Sequence, residues 1–494
     1  MPSARLIQSQ HAGSRPAGGA PVAVVGGGLA GLAAACALSE SGFPVTVFER
    51  RPYLGGRASS YVHPGTGEVV DNCQHVLFEL CTNLIGFYRK IGIEDRIRWF
   101  DRMTFIEPGG RESVLEPSFL PAPLHVTPSF LSFKFLTIRD KLALVYGLSA
   151  LITRKQPDRG IPFQVWLERH RQTPNAIERF WKPILTSALS EDLDRIAVPY
   201  AAQVVRESMK SRSARTMGIP AVPLSELYGA ARDYVTGRGG RVRLRTSVES
   251  FLPTEDGVEI RLADSEERFD YAVLAIPFDS LRKLLPQSPE AEDLREKLGH
   301  FSTAPITGVH LWFDRRITEL PHAVLLDRTI QWMFHKSLLL AEARPSLAFP
   351  EPVAAGARSF RGEPNPSIAP DRREFPDRPS NEGGSYVELV VSASKSLIER
   401  SRQQIIDLAL KELREFLPGA RDATLVKATV VKELNATFSP MPAIDRYRPG
   451  QRTNWPRVFL AGDWTATGWP ATMEGAVRSG YLAAEEVSTN AGVR

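Results

Sequence analysis

Between Asp71 and Leu84 the chain reads DNCQHVLFELCTNL, which sets two acids, a histidine and two cysteines within fourteen residues. Side chains of these types serve metal binding, nucleophilic attack or proton transfer. Cys73, His75 and Cys81 lack the tight paired spacing of a structural zinc site, so no metal is expected. Cys81 and Cys36 read instead as small buried hydrophobes. His75 is the first candidate for a proton donor and Asp71 the second, with a bound water as a third source. A structural histidine satisfied by its neighbours explains His75 better than a catalytic one does. No Ser-His-Asp set or pair of carboxylates competes.

Whatever this stretch does depends on the elements that hold it, and the first of these lies upstream. Residues 21–31 read PVAVVGGGLAG, an apolar run suited to a buried parallel strand followed by a glycine-rich turn into a helix. A second strand over 44–48 ends on Glu49. Strand, Gly26-x-Gly28-x-x-Gly31, helix, strand and acid together form the dinucleotide-binding fingerprint in its required context. Gly26 makes the tight turn, Gly28 lets backbone approach a pyrophosphate, and Gly31 lets helix pack on sheet. Unpaired N–H groups of the helix start, around Leu29 and Ala30, face the phosphates. Glu49 accepts from the adenosine ribose, with Arg50 beside it.

After Glu49 comes RRPYLGGRASS, where Gly55-Gly56-Arg57 resembles the second motif of the flavin-containing amine oxidase and phytoene desaturase superfamily. The resemblance implies FAD, with Arg57 and the glycine backbone near the pyrophosphate. The segment RVFLAGDWTATGWPATMEGAVRSGYLAAEEV resembles the C-terminal flavin motif of the same superfamily. It implies Gly462 and Asp463 at the ribityl chain, and a helix start at Thr472, Met473 and Ala476 facing the pyrimidine side of the ring. Residues 241–277 read as a strand, a hairpin crossover and a return strand, and the resemblance sets Val248 by the adenine. The expected fold is α/β: a Rossmann-like FAD-binding domain assembled from 20–115, 235–285 and 425–490, with an α+β substrate domain from 116–234 and 286–424.

A narrower resemblance returns to the opening stretch. Asp71-Asn72-x-Gln74-His75-Val76, Thr82-Asn83, Gly218 to Leu224, and Gly462 to Val477 are similar to motifs of the hydroxysqualene dehydroxylase family of hopanoid biosynthesis. Cys73 stands where that family has glycine. The likeness runs over most of 20–490. It implies reductive removal of an allylic hydroxyl from hydroxysqualene, hydride passing from reduced flavin to a carbocation, with squalene as product. The reductant is not legible. The nearest alternative is a carotenoid or squalene desaturase working in the opposite redox direction. An amine oxidase is a weaker alternative, because no aromatic cage for an amine is recognisable in the sequence and Lys336 stands in no matching motif, and a flavin-bound scaffold without catalysis is a fourth.

Composition sets the outer bounds. A chain of 494 residues suggests two domains, three cysteines suit a reducing compartment, and a net charge of +5 gives no sign of a nucleic-acid partner. Residues 1–19 read as a disordered leader without a secretory h-region, and the proline-rich stretch 341–382 as a disordered insert. No apolar run is long enough for a spanning helix, so the expected location is cytoplasmic, with contact at the cytoplasmic face of a membrane. Residues 128–154 are rich in Leu and Phe, either as a packed wall or as an interfacial patch, and Arg206, Lys210, Arg212 and Arg215 could meet anionic headgroups. Phe180, Trp181 and Tyr200 are expected to line an apolar substrate slot.

Overall fold

A computed structural model describes residues 19–211, 213–340 and 384–493. The expected leader, apart from Gly19, and the 341–382 insert lie outside the described residues, as does Arg212 of the basic cluster.

Five parallel strands form the nucleotide-binding sheet, in the order Arg241–Arg243, Val45–Phe48, Val22–Val25, Tyr271–Leu274 and Val458–Leu460. Its central strands read VAVV and YAVL and are buried on both faces, which is why they show no polar alternation. Helix Leu29–Glu40 covers one face and is itself covered by helix Met473–Asn490. The approach is close because both helices are small-residue rich at the crossing. A Cβ on Gly480 would lie 2.2 Å from the Ala30 carbonyl oxygen. Between the outer strand and the return strand, Ser250–Pro253, Val258–Arg261 and Glu266–Phe269 form the crossover as a three-stranded antiparallel sheet.

The second large sheet has seven strands, ordered Leu425–Phe438, Thr303–Phe313, Ser385–Ser392, Trp332–His335, His322–Leu325, Met103–Ile106 and Glu112–Leu115. Three segments therefore fall on the other side of the expected domain boundaries. The strands at 103–106 and 112–115, assigned by sequence to the cofactor segment, extend this second sheet. Leu425–Phe438 runs along Thr303–Phe313 instead of joining the nucleotide sheet. Helix Leu224–Thr236 packs on Leu29–Glu40, although it was assigned to the substrate domain. Local periodicity gives an element its type, but the sheet it joins is decided by non-local pairing.

Helices fill the remaining side of the substrate region. Thr173 caps a helical stretch in which Ile177–Trp181 is a π turn and Lys182–Leu189 resumes α geometry. Pro183 lies just after the π segment, and the helix continues through it to Leu189. Helix Ile138–Thr153 starts on a Thr137–Asp140 capping box and packs on helix Val198–Ser208. Its outer face is apolar as well: Ile138, Leu142, Val145 and Tyr146 are all exposed and share one stripe. Among the described residues, no helix is long and apolar enough to cross a membrane.

Candidate active site

One cavity of about 750 Å³ runs from the turn after the first strand to the seven-stranded sheet. At its nucleotide end Gly26 has a φ of 110°, and a Cβ there would meet the Ala275 carbonyl oxygen at 2.5 Å, so only glycine makes this turn. Gly28 forms an isolated bridge with Gly55, and a Cβ on Gly56 would stand 2.9 Å from the Gly28 Cα. The helix beginning at Leu29 has neither a side-chain cap nor an acid in its first turn. Its free N–H groups and a bare backbone floor thus face the cavity, the arrangement a pyrophosphate requires. Gly31 is not on the wall; it packs beneath the turn, against the Gly26 carbonyl.

Glu49 is buried, and its carboxylate accepts from the Gly27 and Arg51 backbone N–H groups at 2.7 and 2.8 Å. Those bonds fix its orientation and leave lone pairs for a sugar hydroxyl. Arg50 and Val248 line the same end. Arg51, which the sequence reading passed over, donates to the Gly56 carbonyl at 2.8 Å and holds the glycine turn. Its proximity in sequence to Gly56 was the available signal.

Farther along, Arg57 donates to Asp463 Oδ1 at 2.5 Å and to the Ala436 carbonyl at 2.9 Å. The Gly462–Asp463 turn is backed by Arg448, a buried guanidinium that donates to the carbonyls of Asp463, Trp464 and Thr465 and to the Tyr200 hydroxyl. Thr472 caps helix Met473–Asn490 by accepting from the Gly475 N–H at 3.1 Å. Glu474 bridges this helix to a second one. It accepts from Asn83 N, Asn83 Nδ2 and Leu84 N at 3.2, 2.7 and 2.8 Å, at the start of helix Thr82–Lys90. Burial raises its pKa against those hydrogen bonds. The start of helix Met473–Asn490 opens on the cavity where Met473, Thr472 and Ala476 line it, whereas the start of helix Thr82–Lys90 is taken up by Glu474. The first of these helix starts favours developing negative charge on a ring lodged there. The residues present fit a flavin dinucleotide from end to end.

The opening stretch lines the cavity beyond this point. Asn72 ties the turn to the arginine motif, donating from Nδ2 to the Arg57 carbonyl at 2.7 Å. His75 is on the wall, and its Nδ1 lies 2.7 Å from the Cys73 carbonyl. A carbonyl only accepts, so Nδ1 carries the hydrogen and Nε2 presents a lone pair. Burial holds the imidazole below its ordinary pKa, so the ring is neutral at neutral pH. In that form His75 is a base, not the acid expected from the sequence. Asp71 is a clearer correction. It is absent from the wall and paired with Lys336 at 2.7 Å, with the Ser60 hydroxyl at 2.5 Å. Burial opposes its ionisation, but the Lys336 ammonium and these hydrogen bonds outweigh that and hold it below the usual carboxylate range. An ionised carboxylate has no proton to donate.

The expected slot residues Phe180, Trp181 and Tyr200 are also off the wall. Phe180 stacks edge-on against Phe130, Trp181 donates to Gln172 at 2.8 Å, and Tyr200 donates to Asp445 at 2.6 Å. The apolar wall is made instead by Phe105, Ile184, Val204, Trp332, Phe334 and Val390. Ile184 lies four residues after Phe180, but Phe180 is inside the π turn whereas Ile184 is in the α-helix that follows, so the two do not share a regular helical phase. The alternating WMFH of Trp332–His335 was the signal for the other side, since residues two apart share one face of a strand. Among the described residues no group of acids, histidines and cysteines is placed to hold a metal ion.

A family profile described as flavin containing amine oxidoreductase matches residues 29–488. The chain is 28% identical over 487 residues to 15-cis-phytoene desaturase of Synechococcus elongatus, covering 94% of this chain and 95% of that one. It is 26% identical over 499 residues to zeta-carotene desaturase of Synechocystis sp., covering 95% and 97%. Among solved structures, an oxidoreductase from Methanosarcina mazei has a TM-score of 0.68 at 17% identity, covering 95% of this chain and 100% of that one. Cyclohexylamine oxidase from Brevibacterium oxydans IH-35A has a TM-score of 0.62 at 16% identity, covering 95% and 99%. These last two likenesses concern the fold.

Proposed function

The chain belongs to the family of flavin-containing amine oxidoreductases, its cofactor is FAD, and from that premise we propose that it desaturates a linear polyene of the carotenoid-precursor type. When bound, FAD supplies the redox chemistry, taking a hydride when oxidised and giving one when reduced. The observation that carries the reading is the neutral His75 on the wall of an apolar cavity, with Nε2 as a free acceptor among the described residues. Removing hydride from an allylic carbon leaves a cation, and the adjacent C–H must then lose a proton to form the new double bond. His75 takes that proton. Phe105, Ile184, Val204 and Trp332 hold the chain and keep out water that would capture the cation. The relatives named above as desaturases support this direction.

Reductive dehydroxylation of hydroxysqualene is the second reading, favoured by the Asp71-to-Val76 and Gly462-to-Val477 motifs, most of whose residues line the cavity. It requires an acid for the departing hydroxyl, and neither His75 nor Asp71 offers one in this geometry. Incubating the holoenzyme with phytoene and a quinone acceptor separates the two. A product with a longer conjugated chromophore supports desaturation. Unchanged phytoene, with squalene formed from hydroxysqualene by the reduced enzyme, supports dehydroxylation.

Either substrate is an oil, and we extend the proposal to a bilayer surface as its source. Phe119 and Leu131 are exposed, as is the stripe of Ile138, Leu142, Val145 and Tyr146, and the exposed Lys134 and Arg139 lie among them in sequence. This mixture suits apolar insertion beneath anionic headgroups. Helix Ile138–Thr153 rests on helix Val198–Ser208, whose Gln203, Val204 and Glu207 line the cavity.

A further inference from the structure

We infer that Lys336 is a positioning residue that sets the orientation of His75 through both ends of the Asp71–Gln74 turn. Lys336 is buried, and its Nζ donates to Asp71 Oδ2 at 2.7 Å and to Gln74 Oε1 at 2.8 Å. Glu388 Oε2 stands 3.5 Å away. The ammonium thus grips the first and last residues of a four-residue turn. Gln74 passes the restraint on, donating from Nε2 to the His75 carbonyl at 3.1 Å, while the Cys73 carbonyl inside the turn accepts from His75 Nδ1. Lys336 does not line the cavity, and its donors are directed at the turn and Glu388. That geometry is unlike a lysine reaching toward a flavin.

The physical cost of this arrangement points to placement over stability. Burying an ammonium with two carboxylates is expensive, and apolar replacements of buried ion sets are often as stable or more so. What they do not reproduce is a directional hold. Lys336 directly follows strand Trp332–His335, whose Trp332 and Phe334 form the apolar wall, stacked with ring centroids 5.5 Å apart. One side chain therefore fixes His75 relative to the wall that seats the substrate chain.

The proton-accepting role of His75 rests on the desaturase reading, so the decisive readout is one that does not depend on turnover. The nitrogen resonances of His75 are followed in histidine-labelled holoenzyme, assigned by their loss in His75→Ala. Two variants are compared with wild type. Gln74→Met cuts one link and leaves the Lys336–Asp71 pair intact. Lys336→Met combined with Asp71→Asn removes the cation and its closest anion together. The expected result is a single Nδ1–H tautomer in wild type and a mixture of tautomers in both variants, with the FAD spectrum retained. Turnover of the preferred polyene falls about 100-fold, the scale of a small misplacement of a reacting group, and adding His75→Ala to either variant lowers it no further than His75→Ala alone. An unchanged tautomer in both folded variants overturns the inference, whichever substrate the enzyme takes. Losses that multiply with His75→Ala overturn it too.

Discussion

Arg57 and Asp463 lie 406 positions apart in the chain, yet their side chains meet at 2.5 Å. The contact joins the glycine-arginine motif after the second strand to the turn after the last strand of the nucleotide sheet. Both residues line the cavity, and both ends of the cofactor site are thereby held in one frame. Removing either partner takes this charged hydrogen bond away from a side chain that faces the cavity, at a cost of about 1.5–3 kcal/mol. Arg57→Ala or Asp463→Ala should therefore weaken FAD binding roughly 10- to 100-fold. Fluorescence of flavin released on dilution of the holoenzyme measures this directly.

His75→Ala should keep its full complement of FAD and lose about 10²- to 10⁴-fold in turnover, the range for a general base. The pH profile carries a further signature. A neutral imidazole is the active form, so activity should persist below pH 6.5 and fall only as pH drops through the depressed pKa of His75. The variant should lose that acidic limb.

His322 is expected to contribute to the acid sensitivity of the fold, alongside the buried His335. The His322 ring is buried against Phe100, with ring centroids 5.0 Å apart, and neither ring nitrogen has a hydrogen-bond partner in the described structure. Burial lowers its pKa from 6.5 to about 4. Above pH 6.5 the folded and unfolded states are both neutral at this site, and no dependence arises. Between 6.5 and 4 the unfolded chain binds a proton that the native state refuses, so stability falls as pH falls. Below about 4 both states are protonated and the loss is complete. His322→Phe should flatten this interval by up to a few kcal/mol, at about 1.4 kcal/mol for each pH unit between the unfolded and folded pKa. Denaturant midpoints of the two proteins between pH 7 and 4 supply the comparison.

The exposed stripe gives a prediction independent of the site. Ile138→Ser with Leu142→Ser leaves the buried face of the helix, including Leu144 and Leu151, untouched. Co-sedimentation with vesicles containing anionic lipid should drop several-fold, at about 25 cal/mol for each Å² of apolar surface no longer buried in lipid. Turnover of detergent-dispersed substrate should be unchanged.

The cofactor end was legible because its signals are local. Gly26, Gly28, Glu49 and Gly55 to Arg57 lie in two short strand-turn units whose geometry follows from residue type and spacing. The C-terminal helix start was legible for the same reason. The substrate end was not. Phe180 and Trp181 looked like slot residues on a regular helix, but they lie within a π turn and off the wall. Asp71 looked available for proton transfer until its partner, 265 positions away, was seen. Tyr200 lies a turn ahead of Gln203 and Val204 in its helix, yet its hydroxyl is engaged by Asp445 and Arg448 and it does not line the cavity. Partnerships at that range leave no trace in periodicity.

The reading of the protein as a hydride-abstracting polyene desaturase is most directly tested by anaerobic mixing of the oxidised holoenzyme with phytoene in a stopped-flow spectrometer. Loss of the oxidised-flavin absorbance, in step with growth of a more conjugated polyene band, is the predicted result. An oxidised-flavin spectrum that stays unchanged with phytoene and with longer carotene precursors, while the photoreduced enzyme is reoxidised by hydroxysqualene, would contradict it.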